Sequence, residues 1–231
     1  MYTEKRVIRK HPKELFMFDT FFKKLTGIEL EDIPEDRLFY VLKTQDKIKK
    51  NTEIVIVYKC ENIAEITEDA VILENGAKYT GELLPRIMKD ASQVVTCLIT
   101  LKGFDAVKEG VTDVVEEYFL DAWGSTYVES AQAWLANYLQ CELEIIGKKR
   151  TYLWSPGQHK FDLSNQKTVF DILQPEEEGC SLTEKFMISP VKTGTGIWGV
   201  MDMGVKDLLL PCDYCELAEK CPTAKTGCAE T

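Results

Sequence analysis

Apolar residues recur along this chain with two periods, and each change of period marks an element. In residues 11–27, Leu15, Phe18, Phe22 and Leu25 share one helical face, and Gly27 is the expected stop. Residues 28–36 contain Pro34 and read as a loop, while the lysine-rich stretch 37–52 fits neither period cleanly. EIVIVYKC at 53–60 alternates as a strand, and residues 63–79 read as a further strand ending in an Asn75-Gly76 turn. GELLPRIMKDA predicts a short helix with Pro85 in its first turns, and SQVVTCLITL, rich in β-branched residues, a buried strand.

The longest helical pattern covers residues 111–143, with Val115, Phe119, Ala122, Ala131, Trp134, Leu135 and Tyr138 at a 3.6-residue period. Gly124-Ser125 interrupts that pattern. A mid-helix glycine costs about 1 kcal/mol relative to alanine, so it marks tight helix packing, or a close approach of another backbone or a ligand. Further on, Ser155-Pro156-Gly157 forces a turn with no bulky side chain at 157. Asp162 or Ser164 can cap the next helix, which carries Val169, Phe170, Ile172 and Leu173. LTEKFMISP and GTGIWGVMDMGV read as two strands of one antiparallel hairpin, joined by a VKTG turn. Helices and antiparallel strands mix without βαβ alternation, so the expected class is α+β.

At 231 residues the chain is long enough for a sizeable core without covalent staples. Its net charge of −10 argues against nucleic-acid binding, which needs an excess of cations to displace phosphate counterions. No apolar run approaches membrane-spanning length and no secretory h-region follows the charged N-terminus, so no membrane partner and a cytoplasmic location are expected. A reducing compartment disfavours disulfides among the eight cysteines. Only His11 and His159 are histidines, which excludes a multi-histidine metal site. Dinucleotide, P-loop, serine-hydrolase and zincin motifs do not occur. His159 follows the glycine turn, where it can face a ligand or simply be solvated.

Four cysteines, Cys212, Cys215, Cys221 and Cys228, crowd the last twenty residues, and Pro222 follows the third. Thiolates so close in sequence suit a metal or cluster better than a folding staple. An iron–sulfur cluster, of the four-iron four-sulfide kind, and a structural zinc both fit, and disulfides or free thiols are the remaining reading. Cys60, Cys97, Cys141 or Cys180 could complete a site that lacked Cys228.

Three ordered segments carry a resemblance. Asp121-Ala122-Trp123-Gly124-Ser125, then Pro156-Gly157, then Leu182 through Pro190 (LTEKFMISP) resemble the motifs of the activation (reactivation) domain of cobalamin-dependent methionine synthase. The chain looks closer still to stand-alone versions of that domain that accompany corrinoid methyltransferase systems. The likeness spans roughly residues 50–205. It implies a C-shaped α+β domain with a twisted antiparallel sheet and flanking helices. The implied division is an N-terminal segment 1–50, the activation-like domain 51–207 and a cysteine-rich metal segment 208–231. It also implies that Gly124, Ser125, Ser155, Pro156, Gly157, Gln158, His159 and Glu184 form the cofactor-facing site.

In that family the face caps a corrin ring during reductive reactivation, with S-adenosylmethionine as methyl donor. Here the family's carboxylate-binding arginine position holds Leu153 and its tyrosine holds Gln158, with the preceding acidic loop cut to about 144–150. Leucine cannot clamp a carboxylate, which argues against S-adenosylmethionine unless Arg150 reaches in. The expectation is therefore an accessory protein passing electrons from a ferredoxin or flavodoxin, through the cysteine cluster, to the Co(II) corrinoid of a partner protein or cobalamin-dependent methyltransferase. The alternatives are a non-catalytic corrinoid-protein-binding module with structural zinc, and S-adenosylmethionine-dependent reactivation.

Overall fold

In the computed structural model, residues 3–16 and 18–221 are described, and the fold is an antiparallel sheet with helices on both faces. Its longer strands are β1 (Arg6–Lys10), β2 (Glu53–Ile66), β3 (Ala70–Leu73), β4 (Lys78–Thr80), β5 (Ala91–Lys102) and β6 (Lys148–Arg150). Next along the chain, β7 (Ser181–Leu182) pairs with β8 (Ile188–Ser189) as a separate ribbon, and β9 (Thr193–Asp202) returns to the main sheet. The helices are α1 (Phe18–Thr26), α2 (Glu35–Asn51), α3 (Leu84–Met88), α4 (Phe104–Lys108), α5 (Val114–Ile145) and α6 (Asn165–Leu173). The sheet runs β4-β3-β2-β5-β9-β6, with β1 lying on the same edge of β2 as β3. Among the described residues no helix is long and apolar enough to cross a membrane.

β2 and β5 form the spine because both of their faces are buried. Ile54, Ile56, Tyr58 and Cys60 point to one core, and Val55 and Val57 point to the other. Successive strand residues face opposite sides, so an unbroken apolar run is what a doubly covered strand needs. On the first face lie α1, α2 and α5. The ring centroids of Phe22 (α1) and Trp123 (α5) are 4.2 Å apart, and Trp123 Nε1 donates to the Val41 carbonyl of α2 at 3.0 Å. The first fifty residues therefore supply core as well as an extra strand. On the second face, Leu84, Met88, Val169, Phe170 and Leu173 cover Val94, Leu98 and Ile197.

Several elements differ from the sequence expectation. α1 starts at Phe18, seven residues after His11, and buries Phe21 and Phe22 while Leu25 is exposed; the Phe18 side chain lies outside what is described. Residues 63–79 are not one strand: Ile63 and Ile66 end β2, and a hairpin of β3 and β4 follows around Asn75-Gly76. α5 runs unbroken through Gly124-Ser125 for 32 residues. LTEKFMIS folds on itself as β7–β8, and β9 pairs with β5 and β6 instead. The long ladder with β5 gives the ten-residue β9 backbone partners along most of its length, which no two-residue neighbour could offer.

Candidate functional site

Gly194 and Gly196 of β9 make room on the face where the site forms, while Gly199 makes room for Met88 on the opposite face. A Cβ at Gly194 would stand 3.3 Å from Val128 Cγ1, one at Gly196 only 2.5 Å from Leu153 Cδ1, and one at Gly199 only 2.6 Å from Met88 Sδ. The missing side chains let α5 approach one face of the strand and the segment after β6 lie close to it. That segment is fastened by reciprocal bonds, Trp154 N to Ile197 O at 3.1 Å and Ile197 N to Trp154 O at 2.9 Å. The fully buried Trp154 anchors the turn that begins at Ser155.

The chain then reverses at Ser155-Pro156-Gly157, where Gly157 has φ +89° and donates to the Phe161 carbonyl at 2.7 Å. His159 and Lys160 also take left-handed backbone conformations, with φ of +48° and +60°. Such conformations disfavour L side chains and persist only where the surroundings hold them. Here Gln158 N bonds Ser155 O, Phe161 N bonds Gln158 O, and Lys160 pairs with Glu82 at 2.9 Å. The turn is preformed.

Between this turn and α5 lies a cleft of about 490 Å³. Ser125, Val128, Glu129 and Gln132 of α5 form one wall. Leu153, Ser155, Pro156, Gln158 and His159 form the other, and Thr193, Gly194 and Thr195 of β9 the floor. Gln166 of α6, Lys24 of α1, Val191, Lys192 and Pro211 complete it. The volume falls in the range of small-molecule pockets, about 300–1,000 Å³.

The structure thus brings Ser125, Ser155, Pro156, Gln158 and His159 to one cleft from segments thirty residues apart. Gly124 lies behind the wall and Gly157 behind the turn, where a Cβ would meet Leu163 Cδ1 at 3.0 Å. Glu184 is exposed between β7 and β8, outside the lining. Arg150 does not reach in: its Nε donates to Ala136 O at 3.0 Å, its Nη1 to Thr151 O at 3.2 Å, and its guanidinium lies over Trp198. Sequence reasoning did not find Lys192, Gln166 or Lys24, and the glycine spacing of β9 is the signal that could have pointed to this place.

The C-terminal segment closes against the same turn. His159 packs edge-on to Trp154 with centroids 5.7 Å apart and hydrogen-bonds the Tyr214 backbone. The Tyr214 ring meets Trp154 at 6.3 Å. Burial lowers the His159 pKa below its ordinary value, and the bond to Tyr214 opposes that shift in part. Pro211 lines the cleft, Cys212 is buried, and Cys215 and Cys221 are half-exposed.

Among the described residues, no three His, Cys, Asp or Glu side chains converge as a metal site, and Cys228 lies outside them. Three of the four substitute ligands considered from sequence are buried, while Cys141 is exposed on α5. Cys60 and Cys97 sit in the sheet core, where burial pushes the Cys60 thiol up to about 11 and raises Cys97 further. Burial raises Cys180 as well. A metal takes the thiolate, which such surroundings disfavour.

The architecture is that of a reactivation-domain fold. The chain is similar to the crystal structure of the MetH reactivation domain bound to AdoHcy, with a TM-score of 0.61 and 13% sequence identity. The match covers 88% of this chain and 80% of that one. No protein-family model and no curated protein matches the chain. The structural likeness establishes the fold.

Proposed function

We propose that this chain is an accessory protein for reductive activation of a corrinoid carried by a partner protein, a cobalamin-dependent methyltransferase or its corrinoid subunit. One observation carries the reading. The motif residues Ser125, Ser155, Pro156, Gln158 and His159, distant in sequence, line a single cleft on a fold shared with a methionine synthase reactivation domain. The preformed Ser155–His159 turn offers a rigid polar edge, and the exposed apolar side chains of Leu163 and Val191 lie beside it in the chain and on its rim. A polar cleft with apolar rim residues suits a ring whose periphery carries amides and whose faces are apolar. Activation adds one electron to Co(II) to give Co(I), and a reduced ferredoxin or flavodoxin loses that electron.

The finer form of the proposal concerns the tail. In it, Cys212, Cys215, Cys221 and Cys228 would hold an iron–sulfur cluster, which would supply one-electron chemistry when bound. Their spacing and the docking of Pro211 and Tyr214 at the cleft support this. With zinc in its place, the tail is a structural clip and the protein a corrinoid-protein-binding module. Visible spectra with iron, sulfide and zinc analysis of anaerobically purified protein separate the two. A brown protein that loses colour in Cys212→Ser supports the cluster; one zinc and no iron removes it.

A second reading rests on AdoHcy in the related structure: the cleft takes a small molecule of that type. Its volume suits such a ligand, although Leu153 and the engaged Arg150 leave no arginine clamp there. The capping proposal is tested by titrating the cobalamin-loaded binding domain of a methionine synthase with this protein. A saturable change in the corrinoid spectrum is expected, weakened by Gln158→Ala; an unchanged spectrum at high protein concentration rules capping out.

A further inference from the structure

The short motif at Asp121, Gly124 and Ser125 serves one residue seventy positions away. Lys192 Nζ lies 2.8 Å from Asp121 Oδ1 and donates to Ser125 Oγ at 2.8 Å. Its position is also 5.6 Å above the Phe104 ring centroid, close enough for a cation–π contact. Gly124 makes this seating sterically feasible. A Cβ there would come 3.1 Å from Lys192 Cε and 2.6 Å from Phe104 Cε2. The helix therefore needs glycine where the lysine stem and the Phe104 ring pass, a serine one residue later as acceptor, and an aspartate one turn earlier as counter-ion.

An ammonium has three N–H groups. Ser125 Oγ accepts one of them and Asp121 lies 2.8 Å away as counter-ion, and among the described residues no other side chain or carbonyl accepts from Lys192, although it lines the cleft. Its side chain is only 11% exposed, whereas Asp121 is 54% exposed and outside the lining, so water screens the aspartate far more than the lysine. The other cleft cation, Lys24, pairs at 3.4 Å with Glu129, which also lines the cleft. That pair is neutral as a unit. Lys192 is thus the lining cation whose counter-ion stands outside the cleft, which suits a single carboxylate approaching from inside; a phosphate needs more cations than the lining offers.

We propose that Lys192 is a ligand-recognition residue that holds the carboxylate of a small molecule in this cleft, with Asp121, Gly124 and Ser125 positioning it. The inference rests on reading the cleft as a small-molecule site and is independent of whether the protein caps a corrinoid. It places the carboxylate contact at the floor of the cleft, beside the start of β9, and not on the turn where Leu153 stands.

The test compares two ligands by titration calorimetry: S-adenosylhomocysteine, and 5′-methylthioadenosine, which keeps the nucleoside thioether but lacks the amino-acid carboxylate. Wild-type protein should prefer S-adenosylhomocysteine by about tenfold or more. Lys192→Met should bring the ratio close to one while leaving 5′-methylthioadenosine binding unchanged, which also shows that the variant is folded. Lys192→Arg should restore the preference. A ratio that survives Lys192→Met overturns the assignment. If wild-type protein binds neither compound, the small-molecule reading of the cleft falls and the assignment with it, whatever the corrinoid titration shows.

Discussion

His159 hydrogen-bonds the Tyr214 backbone, tying the turn after Gly157 to the stretch between Cys212 and Cys215. Burial of the ring, which the contact only partly offsets, makes the stability of this junction depend on pH. Burial lowers the folded-state pKa of His159 below its ordinary 6.5, so the unfolded chain binds the proton first as pH falls. The stability this residue contributes is complete above about 6.5 and declines as pH falls toward the lowered value. Melting temperatures measured from pH 8 to pH 5 should drop more for wild type than for His159→Gln. Parallel curves would show that the histidine does not contribute.

Gly124→Ala sets two effects against each other. Replacing a mid-helix glycine gains about 1 kcal/mol of propensity. The new methyl, however, stands 2.6 Å from the buried Phe104 ring, and overpacking of this kind costs about 1–3 kcal/mol. Chemical denaturation should give a net loss, with Lys192 displaced and the ligand preference reduced. A more stable variant would mean that Phe104 can move aside at little cost.

Gly196 and Leu153 should behave as a coupled pair. A Cβ at 196 would lie 2.5 Å from Leu153 Cδ1 and 3.1 Å from the Trp154 carbonyl oxygen. Gly196→Ala is expected to destabilise by about 1–3 kcal/mol, and Leu153→Ala in the same chain to recover part of that. Additive losses in a double-mutant cycle would contradict the contact.

Thiol labelling should follow burial. Cys141 is exposed on α5, while Cys60 and Cys97 are buried with raised pKa values. Alkylation at pH 8 and subsequent peptide mapping should label Cys141 in the folded protein, and Cys60 and Cys97 only after denaturation. Rapid labelling of Cys97 in the native state would contradict its place in the sheet core.

The strands of the spine were legible, β5 as a β-branched buried run, but β2 read as an alternating strand and the structure instead buries Ile54 through Tyr58 on both faces. α2 was not, because its inward face mixes Val41 and Ile48 with Thr44 and Gln45, so the apolar period is half hidden. Thr44 Oγ1 satisfies itself by bonding the Tyr40 and Val41 carbonyls within the helix. The position of β9 was also hidden, since its partner β5 lies about ninety residues earlier and register across that distance leaves no local trace. Lys192 looked like a turn residue for the same reason. Gly124-Ser125 was correctly marked as a place of close approach, but the Phe104 ring and a lysine stem approach it, not a backbone. Turn chemistry at Ser155-Pro156-Gly157 was readable; the meeting of that turn with α5 depends on the whole sheet.

The most direct test follows the cobalt. The Co(II) form of a methionine synthase cobalamin-binding domain is mixed anaerobically with a low-potential reductant, with and without this protein, and the appearance of Co(I) is timed by its visible spectrum. We expect saturable acceleration by the wild-type protein and little or none by the Gln158→Ala variant. An identical rate with and without the wild-type protein, at concentrations where the two proteins bind, would contradict a role in reductive activation.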